Sequence, residues 1–329
     1  TEAILDEVGL GMPRSRPAAL ASMLYHRARL AVGGVEMKRP ARSSRVRDQL
    51  AIAQAISATM AMVDFIRGAD FQVRALRLAQ VGGDRERYVR ALATEGATSG
   101  CTDAPPMKKG ARLLHRAETQ AREIGDPYLE AYVALSWAAA QLAHYRFPEA
   151  FANAERADAV FRESCQGVPW ELSTTHHILS MCLWNQGRYG ELAERAPRWL
   201  REARERSDLY GSTTITVSGG WARTLAGNRP DEGMRAIDEA MGEWGQPPFQ
   251  LQHYMAMQAK TELEIYAGRG GAAYARQERD GPAFKRSLLT TMPTMRFVVH
   301  TLRARSAIAF ARESRARRRA LVDEALREL

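Results

Sequence analysis

Between its breakers, almost every stretch of the chain places apolar residues at i, i+3, i+4 and i+7, the period of a helix with one buried face. Strand-type alternation is almost absent, and so are Asn-Gly and Asp-Gly hairpin signals. The pattern predicts helices over 46–66, 71–81, 84–97, 107–124, 128–144, 148–164, 170–185, 189–206, 211–226, 230–244, 249–267, 270–279, 282–289, 294–311 and 315–328. Short breakers such as RGAD, SGCTDAPP, GDP, HYRF, NQGR, AGNRP, GQPP and AGRG separate them. Links of two to six residues make successive helices antiparallel neighbours, that is, helical hairpins.

The turns recur. Taking the tight turn inside each hairpin, the anchors are Arg67, Met107, Arg146, Arg188, Arg229, Arg269 and Arg312. The steps between them are 40, 39, 42, 41, 40 and 43 residues. Two helices of about 15 residues plus two links fill such a unit, and one hairpin cannot bury its apolar face alone. The expected fold is therefore all-α, a right-handed superhelix of about seven stacked hairpins with a period near 40. Residues 46–329 would form the solenoid, and 1–45 a basic segment that ends a preceding repeat and adds one helix.

Residue choice inside the units fits close helix packing. FPEAFANAERADAVF puts Ala150, Ala154 and Ala157 on one face, and NQGRYGELAERAPRWL puts Gly187 at a turn with Tyr189, Leu192 and Trp199 inward. Ala138 with Phe147 and Ala150, and Ser180 with Gly187 and Tyr189, resemble the tetratricopeptide repeat family: a small residue in the first helix, a turn with an aromatic, then a small residue. Leu192 departs from that pattern, and the period exceeds the family's 34. Longer phrases, FRESCQGVPWELSTTHHILSMCLWNQGRYGELAERAPRWLREARERSDLYGSTT, FQLQHYMAMQAKTELEIYAGRGGAAY and FKRSLLTTMPTMRFVVHTLRARSAIA, resemble the C-terminal helical-repeat region of large myxobacterial-type serine/threonine protein kinases. PRSRPAAL and MKKGARLLHRAETQAREIGDPY resemble that region and also the repeat arrays of multidomain signalling ATPases and cyclases.

Composition changes the picture little. At 45% hydrophobic and 26% charged, the chain has the make-up of an ordinary soluble globular protein. No apolar run approaches the roughly 20 residues that span a bilayer. The chain opens TEAILDEVGLG, without an initiator Met or a signal segment, and reads as a piece of a longer protein. The formal net charge of +9 invites nucleic acid, but 42 of 47 basic residues are Arg, a usage that suits high-GC codon bias. The excess is concentrated in 12–47 and 303–329, so a solvated basic face or an acidic partner is the better expectation. Cys101, Cys165 and Cys182 are far apart, form no CxxC pair and suit a reducing cytoplasm.

Catalytic motifs are missing. No Gly-rich phosphate loop, HRD…N loop or DFG is present: His115-Arg116 continues as Ala117, and Asp64-Phe65 as Ile66. No HExxH or Cys/His cluster offers a metal site, and adjacent His176 and His177 project about 100° apart on a helix. The expectation is no catalytic residue, no cofactor and no metal. A protein or peptide segment on the concave face, and an attached or separate catalytic domain, would be the partners, with neither membrane nor nucleic acid among them. Most of the recurring aromatics should fill the core; Tyr145, Trp184 and Tyr266, each just before a turn, are the candidates for a partner groove. By resemblance the parent is a bacterial cytoplasmic serine/threonine kinase with its catalytic domain upstream. The alternative is a small-molecule sensor that controls an attached ATPase, cyclase or transcription regulator.

Overall fold

The computed structural model describes residues 5, 7–38, 44–102, 107–245 and 249–328. The linkers expected at 103–106 and 246–248, and the basic stretch 39–43, lie outside the described residues. Helix makes up 84% of the chain, with no strand among the described residues. The chain divides into two compact units, Thr1–Ala140 and Gln141–Leu329.

The first unit holds α1 (Arg16–Gly33), α2 (Ser44–Val63), α3 (Phe65–Gly82), α4 (Arg85–Thr102), α5 (Lys108–Ile124) and most of α6 (Pro127–Leu142). α2 packs on α3, α3 on α4 and α4 on α5, and α1 lies against α3. Tyr88, Phe71, Leu76, Leu92 and Leu114 are fully enclosed at the centre. One expectation fails here. RGAD, read as a breaker at 67–70, is inside α3, because Asp64 caps the helix by accepting a hydrogen bond from the Arg67 amide at 3.4 Å. Asp70 is buried and pairs with Arg74 at 3.4 Å, so its polarity serves the interior rather than a loop.

The second unit continues with α7 (Phe147–Ser164), α8 (Pro169–Asn185), α9 (Tyr189–Glu205), α10 (Leu209–Ile215), a π-turn at Thr216–Gly220, and α11 (Ala222–Ala226). It ends with α12 (Pro230–Trp244), α13 (Leu251–Tyr266), α14 (Gly270–Arg286), a 3₁₀ turn at Leu288–Thr291, α15 (Pro293–Glu313) and α16 (Arg318–Glu328). The break expected between 279 and 282 does not occur, and α14 runs through Pro282. Gly281 precedes the proline and has no Cβ to meet its ring, which removes much of the usual clash.

Two kinds of helix alternate. On α9 only Leu192, Ala196, Trp199 and Ala203 are buried, one stripe at i, i+4, i+7 and i+11. On α8 and α13 burial runs almost all round. A helix covered on both sides needs small side chains that carry their own hydrogen bonds. Thr175, Ser180, Thr261 and Ser306 meet this by donating to the carbonyl four residues back, at 2.7–2.8 Å.

One turn structure recurs at four of the hairpins, and the same backbone cap also closes α9 at Ser207 and Asp208. Tyr145, Gly187, Asn228 and Gly268 all take left-handed backbone, with φ of 58°, 70°, 53° and 69°. The next residue is Arg each time, and its amide reaches back to Gln141, Leu183, Thr224 or Glu264 at 2.7–3.0 Å, closing a Schellman cap. The guanidinium then pairs in the first turn of the following helix: Arg146 with Glu149, Arg188 with Glu191, Arg229 with Glu232. Arg269 instead reaches Asp231 at 2.6 Å. The period reappears in the contacts between units of the repeat. Arg85 to Glu123 and Thr94 to Tyr132 span 38 residues, Arg195 to Glu155 spans 40, and Arg305 to Glu262 spans 43.

Candidate functional site

Three of those four left-handed positions carry Gly or Asn, which tolerate positive φ; the fourth carries Tyr145. A bulky side chain there costs roughly 1 kcal/mol, and such strain marks a position held by something other than stability. Tyr145 is 42% exposed. Its ring meets Phe147 edge-on at 5.9 Å and Phe297 edge-on at 5.7 Å, and its hydroxyl donates to the Thr294 carbonyl at 3.4 Å. Phe297, 60% exposed, is the fifth residue of α15, about 150 residues along the chain. Together they form a two-ring apolar patch open to solvent, fixed at one end by a turn and at the other by a helix start. Burial of the phenol raises the Tyr145 hydroxyl above its ordinary pKa.

The other two candidates sit in different surroundings. Trp184 is half-buried between Tyr189 at 4.7 Å and Trp221 at 4.4 Å, against a core built from Val217, Ile237, Tyr254, Leu263 and Phe284. Tyr266 is exposed, and its hydroxyl donates to the Asn228 side chain at 3.2 Å, one repeat away. The structure thus places Tyr145, Trp184 and Tyr266 in three separate contact groups. Phe297 escapes the sequence reading. Nothing in RFVVH marks it, because its role depends on a turn that arrives from the far end of the unit.

Histidine behaves differently from either metal ligand or surface residue. His176 is fully buried, stacked on Trp199 at 4.8 Å and 10°. Its Nε2 lies 2.9 Å from Asp158 and 2.9 Å from Arg162, and Arg162 also binds Asp158 at 2.8 Å and Glu202 at 2.9 Å. Burial lowers the His176 pKa more than Asp158 raises it, so the ring is neutral at pH 7. Burial alone would raise the Asp158 carboxyl, but hydrogen bonds and charge from His176 and Arg162 hold it below its ordinary value. With the imidazole neutral, Arg162 supplies that charge. Glu202 is held down in the same way by Arg162 and Arg198 against its own burial. Replacing Arg162 by alanine should leave Asp158 with His176 and Glu202 with Arg198 as their remaining partners, and lower stability by about 1–2 kcal/mol, read as an earlier urea midpoint.

Some of the basic residues near the chain ends pair with carboxylates. Arg16 lies 3.8 Å from Asp64, Arg27 3.5 Å from Glu95, and Arg303 3.1–3.6 Å from Glu278, Glu324 and Glu328. Among the described residues, no group of three or more His, Cys, Asp or Glu is placed to hold a metal ion. No described helix is long and apolar enough to cross a membrane. No family model matches this chain, and no curated protein matches it.

Proposed function

We propose that this chain is a non-catalytic, tetratricopeptide-like repeat module, about seven hairpins in a right-handed superhelix. In this reading it binds a protein or peptide segment and so regulates the output of a bacterial cytoplasmic signalling protein, a serine/threonine kinase by the resemblance described above. The observation that carries it is Tyr145: a strained, exposed aromatic where the equivalent turns use Gly or Asn, set against exposed Phe297. A rigid array offers several weak contacts at fixed spacing, and specificity comes from that spacing. Coupling to an attached domain of about 1–3 kcal/mol, or 5–150-fold, is what such modules supply.

The test pairs stability with output. Tyr145→Gly relieves the positive-φ strain and removes two ring contacts, so the fold should be unchanged or up to about 1 kcal/mol more stable. In the parent protein, the double variant Tyr145→Gly, Phe297→Ser should change substrate range or activity as deletion of residues 1–329 does. If deletion leaves activity, substrate range and localisation unaltered, the regulatory reading is overturned. Saturable heat on titrating ATP and magnesium at micromolar concentration would overturn the non-catalytic one.

A further inference from the structure

Six arginines stand on α1 and α3, and the two without a carboxylate are brought together. Arg16 lies 3.8 Å from Asp64, Arg27 3.5 Å from Glu95, Arg67 3.0 Å from Asp64 and Arg74 3.4 Å from Asp70. Arg74 also donates to the Leu10 and Gly11 carbonyls, at 2.5 and 3.1 Å, and Arg67 to the Pro13 carbonyl at 3.1 Å. Those four are engaged. Arg29 and Arg77 have no carboxylate partner among the described residues; each makes one hydrogen bond, to a neutral ring. The two helices hold none in reserve, since α1 contains no acidic residue and the Asp70 of α3 is taken by Arg74.

The two meet across His26 and Tyr25. Arg77 donates from Nη1 to the His26 Nδ1. Arg29 donates to the Tyr25 hydroxyl at 3.2 Å, with its guanidinium carbon 5.8 Å from the centre of that ring. The Tyr25 and His26 rings touch edge-on at 5.1 Å. Burial, then the charges of Arg77, Arg74 and Arg29, lower the His26 pKa to about 4, so the ring is neutral at pH 7. With Nδ1 accepting from Arg77, Nε2 carries the proton and is a donor. The Tyr25 hydroxyl accepts from Arg29 and keeps its own proton to give. Arg77 and His26 are half-buried, Arg29 and Tyr25 exposed, so the cluster opens to solvent. Burial and then the Arg29 charge oppose the charge on Arg77. An anion would relieve both effects, and the donors say which. The free polar hydrogens converge from four side chains, and two positive charges are uncompensated. A phosphate monoester brings three acceptor oxygens and about two negative charges at pH 7, in a shape that guanidinium forks match. A carboxylate brings one charge and two oxygens. We propose that Arg29, Arg77, His26 and Tyr25 form a binding site for a phosphate monoester group, on a small molecule or a lipid headgroup. The site does not depend on the reading of Tyr145.

Calorimetric titration of the whole chain with inorganic phosphate at pH 7.5 tests the proposal. Binding should saturate with a Kd of about 1 mM or below, and the His26 ring protons should shift along the same curve in proton NMR. Arg77→Gln and Arg29→Gln should each weaken binding at least about tenfold, and acetate should bind at least about tenfold more weakly than phosphate. Arg14→Gln is the control, since Arg14 is exposed and outside the cluster; it should leave binding unchanged. Stability distinguishes an empty anion site from a structural ion pair. Because Arg29 and Arg77 repel, Arg29→Gln should leave the thermal melt in phosphate-free buffer unmoved or raised, and phosphate should raise the melt of the unsubstituted chain more than that of the variant. Vesicles of phosphatidylcholine with and without phosphatidic acid identify the source. Binding to phosphatidic acid that is tighter than to inorganic phosphate, and lost in Arg77→Gln, places the monoester on a lipid; without it the ligand is a small phosphorylated molecule. No saturation with phosphate, acetate bound as tightly, equal weakening by Arg14→Gln, or an Arg29→Gln melt that falls would each overturn the proposal.

Discussion

Alanine at Gly110 should cost the first unit about 2–3 kcal/mol, although alanine is the better helix former by about 1 kcal/mol. A Cβ at Gly110 would lie 2.5 Å from the Gly100 Cα, 2.6 Å from its nitrogen and 2.9 Å from the Gly96 carbonyl. These are backbone atoms of α4, so no rotamer change can make room; the two helices must separate where they cross. Leu114 adds to the contact from the other side, since a Cβ at Gly96 would meet it at 2.8 Å. Gly242 is the control. It is helical and exposed, in α12, and a Cβ there would have nothing within 4 Å. Gly242→Ala should therefore stabilise by about 0.5–1 kcal/mol. Urea unfolding followed by circular dichroism should show an earlier first transition for Gly110→Ala and a later second one for Gly242→Ala. Equal midpoints for the two variants would mean that the α4–α5 crossing relaxes freely.

The two glycines look alike in sequence, and here residue type alone stops being informative. What recurs along the chain is legible. Spacing alone marks Arg146, Arg188, Arg229 and Arg269 as turn anchors, and each is the residue whose amide closes the cap. Breakers judged by residue type say less. Gly68 and Asp70 have the composition of a loop and are interior to α3, where Ser57 donates to the Gly68 carbonyl at 3.1 Å. The π-turn at 216–220 leaves no trace in the pattern, because one extra residue in a turn does not disturb an apolar run. It places Gly219 where a Cβ would meet the Ser180 hydroxyl at 2.9 Å. Tyr145 stands out in sequence only by its position before a turn. The strain that makes it informative emerges when the four turns are compared on their common period. Trp184 satisfies the same rule and is half-buried, since whether an aromatic before a turn faces outward depends on the next hairpin, here through Trp221.

Stability of the second unit should fall steeply as pH drops from about 6.5 to about 4, well before ordinary carboxylates titrate. Burial lowers the His177 pKa from 6.5 to about 4, and its Nδ1 is enclosed without a hydrogen-bond partner. His176 and His253 are lowered by burial as well. Between those two pH values the unfolded chain binds a proton at His177 that the folded chain does not, so unfolding gains free energy as acid is added. A depression from 6.5 to about 4 corresponds to at most about 3 kcal/mol, fully lost once pH is below the folded value. Asp158 and Glu202 act later. Their folded values are depressed, so the stability they contribute is present above the unfolded carboxylate range near 4 and disappears as pH falls through the lower folded values. Two steps are expected, a histidine step above pH 4 and a carboxylate step below it. Urea midpoints at pH 7.5, 6.5, 5.5 and 4.5 would resolve the first, and His177→Leu should remove a large part of its slope while leaving the carboxylate step in place. A midpoint that stays flat from pH 7 to pH 5 in the unsubstituted chain would show that the folded unit leaves His177 at its ordinary pKa, and would overturn the prediction.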